Sequence, residues 1–265
     1  MKYKYYTALY CLIGMVIIIY IFKTQYLQEN YENNNAIPLI MHQIWVNGEL
    51  YPKMKKCVDK LKMDNPEFEH NLYDDAKCRA FISENYDKNV LCAYDKLIPY
   101  AFQADLVRYC ILYKKGGIYL DIKYQMENGN KLVNYVDKEY YTIEHLSKEY
   151  IYNGFIISKP NNPLWFKCIN TIVDNVNNKW YGDTSVAPTG PALVYKFFDK
   201  SKTSEIIFKY DEENGKGFIK NQKTGVIIMS HYPEYREEQK QNLTLPYWKD
   251  LWANKNIYKD GVCKI

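Results

Sequence analysis

No two cysteines in this sequence are spaced as C-x-x-C, although there are seven of them: Cys11, Cys57, Cys78, Cys92, Cys110, Cys168 and Cys263. A zinc ribbon is therefore excluded. Long basic runs are missing too. The 35 Lys and Arg are interleaved with 31 Asp and Glu, for a net charge of +4. Nucleic-acid binders gather their basic residues on one face or in one run, so no nucleic-acid partner is expected. There is no internal repeat and no low-complexity tract. Cysteine usage leaves the redox compartment open. Cys11 lies in an apolar segment, and the other six either pair in an oxidising lumen or, like Cys110 among helix-core residues, stay as buried thiols.

What is present fits one catalytic-sized domain with a short appendage: 265 residues, 47% hydrophobic and 25% charged, close to the globular average. Tyrosine is abundant, with 28 copies, beside plentiful Asn, Lys and Ile. All four have AT-rich codons, so no single tyrosine carries much functional weight. Between Lys4 and Lys23 lie 18 uncharged residues, Tyr5 to Phe22. As a helix they span about 27 Å, against a bilayer core of about 30 Å. Tyr5, Tyr6 and Tyr20 sit near the ends, where aromatic rings suit the interface. The run is longer than a signal-peptide core and no small-x-small cleavage site follows, which favours an uncleaved anchor. Lys2 and Lys4 precede it, whereas Lys23 is followed by Glu29 and Glu32. The N-terminus is then cytosolic and the rest faces a lumen. The expected organisation is an anchor over 1–23, a polar stem over 24–36 and a globular domain over 37–265, with Asn242-Leu243-Thr244 as a glycosylation sequon.

Within the globular part, Ile37 to Trp45 is a mostly apolar run of the kind buried on both faces of a parallel sheet. A helix over about 52–63 stops before Pro66, a strand follows over 68–73, and Asp74 or Asp75 caps a helix to about Asn85. Tyr100 to Lys115 reads as a helix terminated by Gly116-Gly117, followed by a short strand, Ile118 to Leu120. Further strands are expected over 140–143, 151–157, 205–210 and 226–229, with helices over 163–178 and 191–198. The pattern describes an α/β domain with a mostly parallel sheet flanked by helices.

The chemistry concentrates around that helix, turn and strand. Asp121 ends the strand, where open α/β sheets bind ligands, and alternation puts Lys123 on the same side. Asp105 and Arg108 are i,i+3 neighbours on the helix, and the glycine pair folds that helix back onto the strand. Each feature has a plain alternative. Asp105–Arg108 as a surface ion pair contributes less than about 1 kcal/mol, and Asp121 alone is an ordinary turn residue.

The combined pattern resembles the core of the glycosyltransferases of family 32, the DXD-containing sugar transferases with a GT-A fold. They include initiating and inositol-phosphoceramide mannosyltransferases and share their core with clostridial glucosylating toxins. The family pattern runs (S/A)-D-hydrophobic-x-R-x-x-x-L, then G-G-x-Y-x-D-x-D. Ala104, Asp105, Arg108, Leu112, Gly116, Gly117, Tyr119 and Asp121 fill it in register. Ile37 to Trp45 is similar to the opening I-P-K-x-I-H-x-x-W strand. Tyr152 to Ser158 with Asn162-Pro163, Thr189-Gly190-Pro191, and His231 with Trp248 and Trp252 resemble the later segments, so the similarity spans about residues 37–255.

The resemblance implies a GT-A-like, Rossmann-like domain and a retaining hexosyltransferase. The implied donor is GDP-mannose or a UDP-hexose, and the acceptor a glycan, a glycolipid or a protein. It implies that Trp45 stacks on the base, that Asp105 and Arg108 hold sugar hydroxyls and phosphate or ribose, and that Tyr119 lines the nucleotide pocket. Asp121 contacts the ribose or a metal-bound water, with Asp105, Arg108 and Asp121 as the catalytic set. Asn153 supports the sugar or the acceptor side, and His231 either joins Asp121 in binding a divalent cation, Mn2+ or Mg2+, or contacts the diphosphate. For Trp45, Tyr119 and His231, core packing is the competing explanation. The departure is Lys123, which stands where the family has the second aspartate. An ammonium repels a cation but can contact phosphate as a point charge, so Lys123 is expected to replace the metal in part or to shift it toward Asp121 and His231. The same departure sustains an alternative, a non-catalytic carbohydrate-binding membrane protein on a degenerated transferase fold. The anchor and the resemblance together imply a single-pass type II membrane protein facing the Golgi or endoplasmic reticulum lumen.

Overall fold

A computed structural model of the chain describes residues 13–14, 17–24, 37–144, 147, 150–242 and 244–261. The expected anchor and stem lie largely outside the described residues. Residues 17–24 are helical, but no helix among the described residues is long and apolar enough to cross a membrane. The expected spanning helix therefore has no counterpart among them.

The globular part begins with β1 (Ile40–Ile44), α1 (Pro52–Asp64), β2 (Glu69–Tyr73), α2 (Asp75–Asn85), α3 (Lys88–Lys96), α4 (Tyr100–Lys115), β3 (Gly117–Leu120) and β4 (Tyr124–Met126). It continues with β5 (Tyr140–Ile143), β6 (Ile151–Ser158), α5 (Pro163–Asn177), α6 (Pro191–Phe197), β7 (Ile206–Glu213), β8 (Lys216–Asn221), β9 (Ile227–His231), α7 (Tyr235–Gln241) and α8 (Trp248–Ala253). The nine strands form one sheet in the order β2-β1-β3-β6-β5-β7-β8-β9-β4.

The sheet is mixed, which corrects the mostly parallel expectation. β1 pairs in parallel with β2 and β3, and β5 with β7. The other five pairings are antiparallel. Two causes are visible. β6 is inserted reversed between β3 and β5, and all eight of its residues are buried. Burial on both faces removes the apolar–polar alternation that would mark an antiparallel strand. β7 and β8 are joined by the two residues Asn214-Gly215, both at positive φ (51° and 76°), a turn whose twist suits an antiparallel hairpin.

Alternation along the central strands divides the core. Tyr119 and Ile156 join the cluster built on α4 and α5, with Leu106, Tyr109, Trp165 and Ile169. Their neighbours Ile118, Leu120, Phe155 and Ile157 face the opposite cluster, with Leu61 of α1. Four cysteines, Cys57, Cys78, Cys110 and Cys168, are free and buried, and burial pushes the Cys57 and Cys78 thiols up to about 12. Cys92 is disulfide-bonded.

One connection shapes the molecule. β3 lies third in the sheet and β4 last, yet only Asp121-Ile122-Lys123 joins them. A link of that length reaches at most about 14 Å. The sheet must therefore curl until its β4 edge returns beside the end of β3. The Asp121–Lys123 turn sits in that mouth, tied by Asp121 N–H to Gly154 O (2.9 Å), Tyr124 N–H to Asp121 O (3.2 Å) and Tyr232 N–H to Lys123 O (3.0 Å).

Candidate active site

The helix and strand that carry the site are held by a turn only glycine can make. Gly116 and Gly117 take φ of 62° and 93°. A Cβ on Gly116 would stand 2.6 Å from Pro160 N, and one on Gly117 2.5 Å from Ile40 O. His42, fully buried on β1, donates from Nε2 to Gly116 O (3.0 Å) and locks the turn from beneath. With that turn fixed, α4 packs on the Tyr119 face of β3 and points Asp105 and Arg108 toward Asp121.

Arg108 is the centre of the arrangement. Its guanidinium lies over the Tyr119 ring, 4.4 Å from the centroid. It donates from Nη1 to Asn153 O (2.6 Å) and from Nε to Ala104 O (3.2 Å). It also bridges two carboxylates, Asp105 Oδ1 at 3.2 Å and Asp121 Oδ1 at 3.4 Å. Asp105 accepts further from Asn153 Nδ2 (2.8 Å) and Thr189 Oγ1 (2.7 Å). Asp121 accepts from the Tyr119 hydroxyl at Oδ1 (2.9 Å) and from Lys123 Nζ at Oδ2 (2.9 Å). Burial alone would raise the Asp121 pKa, but Lys123 and then Arg108 outweigh it and hold the carboxyl at about 2. Burial works on Asp105 in the raising direction and there prevails over Arg108 and Thr189. Lys123 is pulled down by burial and raised more by Asp121, so its net shift is upward and it stays charged.

Asp105, Arg108, Tyr119, Asp121, Lys123 and Asn153 are thus brought together. Tyr119 is 1% exposed; its ring supports Arg108 and its hydroxyl holds Asp121. Trp45 is half-buried. It donates from Nε1 to Glu49 O (3.2 Å) and packs with Tyr51 on the small cluster that contains Ile122. His231 ends β9 as the cross-strand partner of Tyr124. It is buried, and its Nδ1 accepts from Gly217 N–H (3.1 Å), so Nε2 carries the proton and finds no partner.

Three groups escaped the reading of the sequence as site residues. Thr189 holds Asp105 from 84 residues away, although the T-G-P pattern marked its loop. Gly154 lies against Asp121, where a Cβ would meet Oδ2 at 2.5 Å and would collide with the Tyr152 hydroxyl. Tyr124, Tyr152 and Tyr235 surround the Lys123 ammonium at 5.6–5.9 Å. No local signal separated these three from the other tyrosines.

The residues present do not fit a divalent cation. Asp121 offers Oδ1 to Tyr119 and Arg108 and Oδ2 to Lys123, and both oxygens of Asp105 are taken. Among the described residues, no group of three His, Cys, Asp or Glu side chains could hold a metal.

The buried histidines have a consequence for stability. His42 is lowered to about 3 and His231 to about 2, in both cases chiefly by burial, against about 6.5 in an unfolded chain. Both stay neutral in the fold while the unfolded chain takes up protons below pH 6.5. Stability is therefore flat above about pH 7 and falls as the pH drops toward 3, by up to about 1.4 kcal/mol per pH unit for each histidine. Urea unfolding at pH 7.5 and 5.5 measures this, and H42Q, which keeps a donor for Gly116 O, should show a shallower slope. Equal stability at the two pH values would refute the assignment.

Residues 52–153, which include Asp105, Arg108, Asp121, Lys123 and Asn153, match the glycosyltransferase sugar-binding region containing the DXD motif. An uncharacterized glycosyltransferase of Acanthamoeba polyphaga mimivirus is 34% identical over 135 residues, 49% of this chain and 53% of the relative. Inositol phosphoceramide mannosyltransferase 3 of Schizosaccharomyces pombe is 43% identical over 103 residues, 37% of this chain and 27% of the relative. The chain thus spans about half the length of these relatives or less. Among solved structures, the PaToxG glycosyltransferase superposes with a TM-score of 0.50 at 16% identity, covering 68% of this chain and 78% of that one. The fold is therefore a mixed α/β fold of the GT-A-like kind.

Proposed function

Because the chain carries the sugar-binding region of the DXD-containing glycosyltransferases, we propose that it is a retaining hexosyltransferase. It takes mannose, glucose or galactose from GDP-mannose or a UDP-hexose and passes it to a glycan, glycolipid or protein acceptor. Relatives named as inositol phosphoceramide and initiation-specific mannosyltransferases put GDP-mannose first. The observation that carries the proposal is the alternation Asp105–Arg108–Asp121–Lys123, buried at Asp105 and Arg108 and partly exposed at Asp121 and Lys123, at the mouth of the curled sheet. Such an arrangement presents fixed carboxylates to sugar hydroxyls and fixed cations to phosphate, which is what a nucleotide-sugar site requires.

In the proposed reaction the C1–O bond to the β-phosphate breaks and its electron pair stays on the phosphate oxygen. The acceptor hydroxyl oxygen bonds to C1 on the same face, and its proton passes to the departing phosphate. No protein base is needed. The residues contribute orientation of the sugar and stabilisation of the charge that develops on the leaving group. Incubating the protein with GDP-mannose, UDP-glucose and UDP-galactose and following free nucleotide and mass-shifted product tests the proposal. Release from one donor is expected. Sugar binding without release from any donor would favour the carbohydrate-binding alternative.

We also propose the location: a single-pass type II protein facing the Golgi or endoplasmic reticulum lumen. The uncharged run from Tyr5 to Phe22 supports it, as do the exposed side chains of Ile17, Ile18, Ile19 and Phe22 on the helical residues 17–24. A C-terminal tag protected from protease in sealed microsomes is the expected result, and a digested tag would overturn it.

A further inference from the structure

The site holds a feature that the general transferase reading does not require: a lysine ammonium seated on Asp121. Lys123 Nζ lies 2.9 Å from Asp121 Oδ2, and its side chain is 17% exposed. Tyr124, Tyr152 and Tyr235 surround it at cation–π distances of 5.6, 5.9 and 5.9 Å. The walls of this cage are themselves fixed. The Tyr124 and Tyr152 hydroxyls share a hydrogen bond of 2.6 Å, and Tyr152 stacks on Tyr210 at 4.3 Å between centroids. A lysine built in this way is held in one place, which a solvated surface lysine is not.

We propose that Lys123 is the resident cation of the donor site, so that the diphosphate of the nucleotide sugar is bound without a divalent metal. This rests on the reading of the site as a nucleotide-sugar site. Three observations carry it. The first is that every oxygen of the two site carboxylates already has a protein donor. Asp121 Oδ1 is held by Tyr119 and Arg108, Oδ2 by Lys123 with Gly154 directly against it, and Asp105 by Arg108, Asn153 and Thr189. The second is charge. Two carboxylates and two cations sum to zero here. In a D-x-D site the second aspartate would replace the lysine and a doubly charged metal would be added, and the sum would again be zero. The aspartate-to-lysine exchange thus reproduces the charge of a metal-loaded site without the metal. The third is donor capacity. An ammonium has three N–H groups and Asp121 uses one. The partial exposure of Lys123 leaves the others able to reach a phosphate in the mouth as a point charge.

Isothermal titration of the protein with GDP and with UDP, in EDTA and in excess Mn2+, tests the proposal. The wild-type protein should bind at least one of the two nucleotides with the same affinity in both buffers, within about twofold. K123A should bind it about 10–100-fold more weakly in EDTA, the equivalent of one charged hydrogen bond. K123D, which restores a D-x-D spacing, should bind only when Mn2+ is present. Thermal melts establish that both variants fold, and the wild-type comparison needs no variant. Wild-type binding that disappears in EDTA and returns with Mn2+ would overturn the proposal. So would unchanged affinity in K123A, or no binding of either nucleotide in either buffer. The underlying transferase reading fails separately. Metal-independent nucleotide binding without transfer would sink that reading and keep the lysine. Transfer that requires Mn2+ would keep the reading and sink the lysine.

Discussion

Replacing Asp121 by asparagine should leave a folded protein whose turnover on its donor is lower by about 100–1,000-fold, the usual cost of removing one preorganised electrostatic group from an active site. The reason lies in the partners of the carboxylate. Oδ1 accepts from the Tyr119 hydroxyl and faces Arg108, while Oδ2 faces the Lys123 ammonium. An amide has the same shape but only one acceptor end, so its NH2 must point at a donor on one side or the other. Either way Arg108 or Lys123 loses its anchor and shifts relative to the phosphate it is proposed to meet. Nucleotide release by D121N at saturating donor, with a thermal melt beside it, measures the effect. Activity within threefold of wild type would remove Asp121 from the donor site.

The largest effect on stability is expected from R108M. Methionine fills much of the space but removes the charge between Asp105, which is buried, and Asp121, which is partly buried. Breaking a buried ion pair by deleting one partner costs about 3–5 kcal/mol, because the remaining charge is stranded. Only Asp105 is stranded, since Asp121 keeps Lys123 and is 21% exposed, so R108M belongs toward the lower end of that range. The hydrogen bond from Nη1 to Asn153 O and the stacking on Tyr119 are lost as well. For a domain of this size the melting temperature should fall by about 10 °C. The double variant R108M/D105N should recover part of the loss, since it removes the stranded charge. Urea unfolding of the single and double variants checks both statements. A loss under about 1 kcal/mol in R108M would mean that solvent reaches the pair, and the site would not be the fixed ion-pair network described above.

The parts of this site that were legible in the sequence are those set by local chemistry. The helix Tyr100–Lys115 was readable to its ends, because apolar residues recur at helical spacing and Gly116-Gly117 stops it. The short strand after it and the i,i+3 relation of Asp105 and Arg108 follow from the same stretch. Asp121 and Lys123 do share a side, but through a turn closed by Tyr124 N–H to Asp121 O, in place of the extended alternation assumed from sequence. Strand direction was not legible. A strand buried on both faces looks the same whether its neighbours run parallel or antiparallel, and β6 is such a strand. β4 and β8 were missed because they are short or half-exposed. The Asn214-Gly215 pair is a hairpin signal, and the strands on either side of it pair antiparallel. Long-range partners had no local signature at all. Thr189 reaches Asp105 only because the loop before α6 is tied to α4, with the Tyr109 hydroxyl donating to Thr189 O, and the tyrosines around Lys123 come from β4, β6 and α7.

The central claim is that the curled mouth around Asp121 transfers a hexose from a nucleotide sugar with retention. The measurement that meets it most directly is transfer from α-linked GDP-mannose or an α-linked UDP-hexose to an acceptor mixture, with the new linkage read by NMR. The account predicts an α-linked product and one equivalent of free nucleoside diphosphate. A β-linked product, or no nucleotide released from any of these donors, would contradict it.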